Sequence, residues 1–348
     1  MSDKSKIEWT QATWNCVTGC SKVSEGCRNC YALRDWARLS ANPNTVYHGR
    51  KFTDVQCHPE RLDQPLRWTK PRRVFVNSMS DLFHESVPDA FIDQVFAVMA
   101  LAKQHVFQVL TKRPDRMLDY LSVAESEDSD WLERICDHAV RISGSPCSAS
   151  FIEDIDWPIH NIWLGVSIED QPTADERIPL LLQTPAAVRW VSAEPLLGPV
   201  DLGRWVYDRD EKIRAAMNSP AAFNREQAED GIPYPLDWLV VGGESGPNAR
   251  PMHPDWPRSL RDQCQAAGVP FFFKQWGEWI EIDGPLCRAI ITDKLPSDQY
   301  IDIDGSLHSF ASRNEHKRTA WSTPIMRRVG KKAAGRLLDG RAWDEYPT

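Results

Sequence analysis

The sequence predicts an α/β protein whose parallel sheet curls into a partial or complete (β/α) barrel. Two observations carry this. Short apolar runs of strand length alternate with segments of helical periodicity along most of the chain, the pattern of buried parallel strands with helices outside. Polar residues then gather immediately after these runs, at the carboxyl ends where parallel α/β barrels place their ligand-binding groups.

Taken in order, the cysteine-rich stretch Asn15 to Ala32 reads as a loop, because a strand would throw neighbouring thiols to opposite faces. A helix over Tyr31–Leu39 follows it. Arg73–Asn77 is a short apolar strand, Asp89–Lys103 a helix with a wide apolar face, and Val106–Thr111 the next strand. Ile162–Ser167 is another strand, with a helix after it running through Arg177 to Leu182. Val188–Ser192 and Trp238–Gly242 continue the series, Pro254–Ala267 is helical, and Val269–Lys274 is the last strand.

Three stretches break the rhythm. One spans about 122–158 and is acidic and partly helical; a second, about 205–235, is polar and closes on a Pro-rich turn. The third, from Glu278 to Thr323, carries Ile280, Ile282, Ile290, Ile291 and Tyr300–Ile303 and reads as a small β-hairpin elaboration. The expected organisation is one barrel over 1–276 with two insertions, and a C-terminal extension over 277–348 packed on it.

The formal net charge of −8 excludes a general nucleic-acid-coating protein. Candidate local basic surfaces are Lys70–Arg73, Lys112–Arg116 and the tail Arg327–Lys332 with Arg336, although charged stretches are usually just solvated faces. No apolar run is long enough to span a bilayer, and the polar start does not read as a signal peptide, so a cytoplasmic location is expected. The nine cysteines fit reduced thiols better than a secreted disulfide framework.

Four of those nine cysteines fall between Asn15 and Ala32: Cys16, Cys20, Cys27 and Cys30. The C-x2-C spacing of Cys27 and Cys30 lets adjacent turns aim two sulfurs at one point, and Gly19 and Gly26 permit tight bends. Cys30 at a helix N-terminus would feel a dipole that favours anionic ligands. Three chemistries fit these residues. They are a structural zinc site using all four thiolates, a disulfide pair, and an iron–sulfur cluster on Cys20, Cys27 and Cys30 with one iron left open.

Cys20 followed by Cys27-Arg28-Asn29-Cys30-Tyr31-Ala32 resembles the cluster loop of radical S-adenosylmethionine (SAM) enzymes, with six residues rather than three between the first two cysteines. The longer pattern of Ile7–Thr10, Trp14-Asn15, Gly19-Cys20, Ser24, Gly26-Cys27 and Cys30–Ala32 resembles a phage- and prophage-associated radical SAM family, itself distantly similar to spore photoproduct lyase. Asn77–Phe83, Thr111–Pro114, Ser192–Pro195 and Gly242–Gly246 extend the match.

The resemblance implies a TIM-barrel-like radical SAM fold, a 4Fe–4S cluster on Cys20, Cys27 and Cys30, and SAM on the open iron. It also implies an electron donor such as flavodoxin or ferredoxin. The substrate implied is a nucleobase or modified nucleotide, for instance thymine undergoing hypermodification in phage DNA within a bacterial host cytoplasm.

SAM needs polar partners for its amino, carboxylate and ribose groups. Ser78, Asp81, Lys112, Ser167 and Glu194 have that chemistry at strand ends, where helix caps and turns also use Ser and Asp. Gly242-Gly243-Glu244 spells a motif that radical SAM proteins use on the cofactor amine, but it follows a much later strand and is not equated with it. Cys16 is left outside the cluster. With Cys16 as fourth ligand, the alternative is a zinc-stabilised nucleic-acid-binding or interaction protein without turnover.

Overall fold

The computed structural model describes residues 5–123, 130–146, 157–206, 236–282, 298–309 and 324–347. Most of the expected insertion at about 205–235, part of that at 122–158, and Ile290 and Ile291 lie outside the described residues. The chain divides into two compact units: Met1–Ser167 with Arg177–Trp190, and Ile168–Glu176 with Val191–Thr348.

In the first unit the elements run β1 (Ala12–Trp14), β2 (Val17–Thr18), α1 (Tyr31–Ser40), β3 (Gln56–Cys57), β4 (Arg73–Val76), α2 (Asp89–Leu101), β5 (Val106–Thr111), α3 (Pro114–Ser122) and α4 (Trp131–Ser143). Next come β6 (Ile162–Ile168), α5 (Gln171–Gln183) and β7 (Val188–Ala193), in whose span the division into units falls. The second unit continues with β8 (Trp238–Gly242), α6 (Asp255–Ala267) and β9 (Phe271–Gln275).

A seven-stranded parallel sheet has the order β1-β4-β5-β6-β7-β8-β9, which is the partial (β/α) barrel expected from the sequence. Its register pairs Val74 with Ala12 and Phe107, and Val109 with Leu164. Strand order follows chain order, with helices such as α2, α5 and α6 carrying the chain from one parallel strand to the next.

Burial explains why these runs become strands. Every residue of β6 and of β8 is buried, as a parallel sheet covered on both faces requires. Helix α2 buries nine of its 13 residues, Asp93 among them. That carboxylate accepts hydrogen bonds from Tyr120 Oη at 2.6 Å and Arg134 Nε at 3.0 Å, tying α2 to α3 and α4.

The C-terminal part differs from the single hairpin expected. Strands β10 (Trp279–Glu281), β11 (Gln299–Ile301), β12 (Leu307–Ser309) and β13 (Ile325–Arg328) form an antiparallel sheet in the order β10-β13-β11-β12. Within the supposed basic tail, Arg327 and Arg328 therefore belong to a strand. Ile325 and Met326 are buried, and Arg327 pairs with buried Asp298 at 2.8 Å, so charge disguised the strand. The short helix α7 (Lys331–Ala334) follows. Among the described residues no helix is long and apolar enough to cross a membrane.

Gly165 in β6 has no room for a side chain: a Cβ there would lie 2.5 Å from the fully buried ring of Trp190. Gly165→Ala is expected to destabilise the protein by about 1–3 kcal/mol through overpacking, read as a lower denaturant midpoint with an unchanged slope.

Candidate functional site

Two asparagines fasten the cysteine loop to the end of β4. Asn15 Oδ1 accepts hydrogen bonds from Ser78 Oγ at 3.1 Å and Met79 N at 3.2 Å. Asn77 returns the contact, its Oδ1 accepting Val17 N at 3.1 Å and the Cys16 thiol at 3.5 Å. Asn77 has φ of 61°, a left-handed conformation that asparagine tolerates better than most residues. Gly19 turns the chain into the loop at φ of 94°, where a Cβ would come within 2.6 Å of the Asp54 carbonyl oxygen. Cys20 N then donates to Phe52 O at 2.9 Å. Cys27 ends a 3-10 turn over Glu25–Cys27, and Cys30 caps the N-terminus of α1.

All three thiols are free and partly exposed. Burial pushes the Cys20 thiol up to about 12, with the nearby Asp81 carboxylate adding to this and Arg113 opposing it. Burial also raises Cys30, while the backbone of Leu33 and Ala32 in the first turn of α1 and the charge of Lys112 act the other way. Cys27 acts on both neighbours, so the three sulfurs share one electrostatic environment. Among the described residues no three His, Cys, Asp or Glu side chains converge closely enough to grip a single ion. The donor set nevertheless fits an iron–sulfur cluster, with three free thiols and two cations placed to favour thiolate, and a metal would displace the remaining protons.

Cys16 lies apart from this trio. It is fully buried, its thiol donates to Asn77, and its neighbouring thiol is Cys57, not Cys27.

Ser78, Asp81 and Lys112 come together around the loop at the ends of β4 and β5. The Ser78 carbonyl accepts the Tyr31 hydroxyl at 2.5 Å, joining it to the residue after Cys30. Asp81 is buried, and its carboxylate receives Phe83 N at 3.0 Å, Thr111 Oγ1 at 2.7 Å, Lys112 N at 3.1 Å and Arg113 Nη1 at 3.2 Å. Ser167 is buried at the end of β6, where its carbonyl accepts Arg177 Nη1 at 2.7 Å. In the second unit, Glu194 directly follows β7 and pairs with Lys274 of β9 at 2.5 Å. A Cβ on Gly242 would stand 3.3 Å from the carbon of that carboxylate.

The Gly242-Gly243-Glu244 run serves close backbone packing. A Cβ on Gly243 would overlap the Trp276 carbonyl, and one on Gly277 would overlap the Glu244 carbonyl. The Glu244 carboxylate is held by Arg250, Oε1 accepting Nη2 at 2.7 Å and Oε2 accepting Nε at 2.9 Å.

Arg113 was expected on a basic surface and is instead buried. Its guanidinium touches the Cys20 sulfur at 3.8 Å as well as Asp81, Glu85 and Ser21. Its position between a strand end and helix-starting Pro114 was the available signal. His84 supports the same corner: Nδ1 accepts Ser86 N at 3.1 Å, which leaves Nε2–H to donate to Ser21 Oγ at 2.9 Å.

A protein-family model described as "Protein of unknown function (DUF5131)" matches residues 4–347. No curated protein matches the chain. Among solved structures, a cysteine-to-serine mutant of spore photoproduct lyase is similar at 12% identity and a TM-score of 0.37, over 95% of this chain and 71% of that one.

Replacing Asn77 tests the clasp. Asn77→Ala should cost about 2–4 kcal/mol, from the buried Val17 N–H left unpaired and from alanine held at positive φ. Asn77→Gly should recover the conformational part alone. Unfolding midpoints, with amide exchange over residues 17–26, read both effects.

Proposed function

The chain belongs to the DUF5131 family, and we propose that it is a radical SAM enzyme in which Cys20, Cys27 and Cys30 hold a 4Fe–4S cluster. The observation that carries this reading is the trio of free thiols on one loop, coupled through Cys27 and backed by Arg113 and Lys112. A cluster bound there would supply one-electron reductive cleavage of SAM to a 5′-deoxyadenosyl radical, for hydrogen abstraction from substrate.

The chain's own residues bind and orient. The first turn of α1 sets its backbone N–H groups towards an anionic ligand set beginning at Cys30. Within the first unit, Ser78, Lys112 and Ser167 are the polar groups assigned to SAM and substrate. Asp81, whose oxygens are engaged by protein donors, acts by holding Lys112 and Arg113 in place. Half-burial of the cysteines limits water around the reacting groups.

The substrate assigned is a nucleobase or modified nucleotide, in the manner of thymine hypermodification in phage DNA. A low-potential donor of the flavodoxin or ferredoxin class would supply the electron. Tyr31 supports a base-stacking role, being 42% exposed while its hydroxyl is anchored on Ser78. The net charge of −8 favours a defined nucleotide site over broad phosphate contact.

Anaerobic reconstitution is expected to give about four irons and four sulfides per chain and a brown absorbance. Reduction with dithionite in the presence of SAM should then yield 5′-deoxyadenosine. Cys27→Ala should reduce that product to the protein-free level. One zinc and no iron in protein purified without oxygen would overturn the assignment. Mass spectrometry of nucleosides from phage or host DNA digests incubated with the enzyme reads the substrate.

A further inference from the structure

We infer that the buried Asp81–Arg113 ion pair sets the redox poise of the metal site, with Arg113 as the positioning residue for Cys20. This rests on the reading of Cys20 as a cluster ligand. Arg113 is only 9% exposed, and every guanidinium nitrogen is used. Nε donates to Glu85 Oε2 at 3.1 Å, and Nη1 to Asp81 Oδ2 at 3.2 Å and to the Cys20 sulfur at 3.8 Å. Nη2 donates to Ser21 O at 3.3 Å and Ser21 Oγ at 2.8 Å. A planar fork with donors on three nitrogens can serve a sulfur, a carboxylate and the following residue together, which a lysine cannot.

The sign of the effect follows from charge. One electron from a low-potential donor adds one unit of negative charge to the site. A cation in hydrogen-bond contact with a ligand sulfur favours that state, and a nearby fixed anion opposes it. Arg113 acts on the sulfur by charge and by a hydrogen bond to it, whereas Asp81, hydrogen-bonded to Arg113, acts by charge alone, so the two oppose each other at the same atom. Glu85, with its side chain 66% exposed, is screened by water and contributes less.

The test is a redox titration of the cluster-loaded full chain, followed by electron paramagnetic resonance with dithionite as reductant. Arg113→Gln is expected to shift the midpoint to lower potential, and Asp81→Asn to shift it higher. Arg113→Lys should fall between the parent and Arg113→Gln, because it keeps the charge and loses the fork. Arg113→Gln leaves the buried Asp81 carboxylate without its counter-charge and is the variant most prone to misfold. The double variant Arg113→Gln/Asp81→Asn removes both charges and should return the midpoint towards that of the parent. Equal midpoints across the loaded variants would overturn the inference alone. A parent chain that holds no iron or sulfide would overturn the cluster reading beneath it as well.

Discussion

The carboxylate of Asp81 is the contact on which the site depends. It gathers two backbone N–H groups, a hydroxyl and a guanidinium from the segments that end β4 and β5, and it does so out of water. A buried carboxylate in that setting is stable only when its donors are all in place, since leaving such a charge unpaired costs about 3–5 kcal/mol. The two strand ends are therefore held in one arrangement. Arg113, locked by the same carboxylate, is in turn locked against Cys20 and Ser21.

Around that contact the loop gains its shape from groups with little chemistry of their own. Asn15 and Asn77 each replace a missing backbone partner where β1 and β4 end, and Gly19 lets the chain pass beneath Asp54. The result is a loop with a rigid root that presents three thiols beyond it. The proposed iron–sulfur cluster would draw on such a combination: fixed electrostatics at the root, accessible sulfurs beyond it.

The second unit uses small residues differently. Gly243 and Gly277 allow two backbones to meet with no side chain between them, and Gly242 leaves room for Glu194. Spelling alone could not separate this packing role from cofactor contact, because both require glycine for the same reason, the absence of a Cβ.

Apolar runs of five or six residues alternating with amphipathic segments determine by themselves that the chain is α/β with a parallel sheet. Burial on both faces leaves no other placement for such runs as Val74–Val76 or Trp238–Val241. The C-x2-C pair likewise marks the loop from local spacing. Tertiary structure decided what local pattern cannot express. It turned Arg113 from a surface charge into a buried partner of Cys20, and it drew Arg327 into a strand through Asp298. It set Cys16 beside Asn77 and Cys57, apart from Cys20, Cys27 and Cys30. Each of these depends on a partner distant in sequence, and the free energy of a charge or thiol is set by what surrounds it in space.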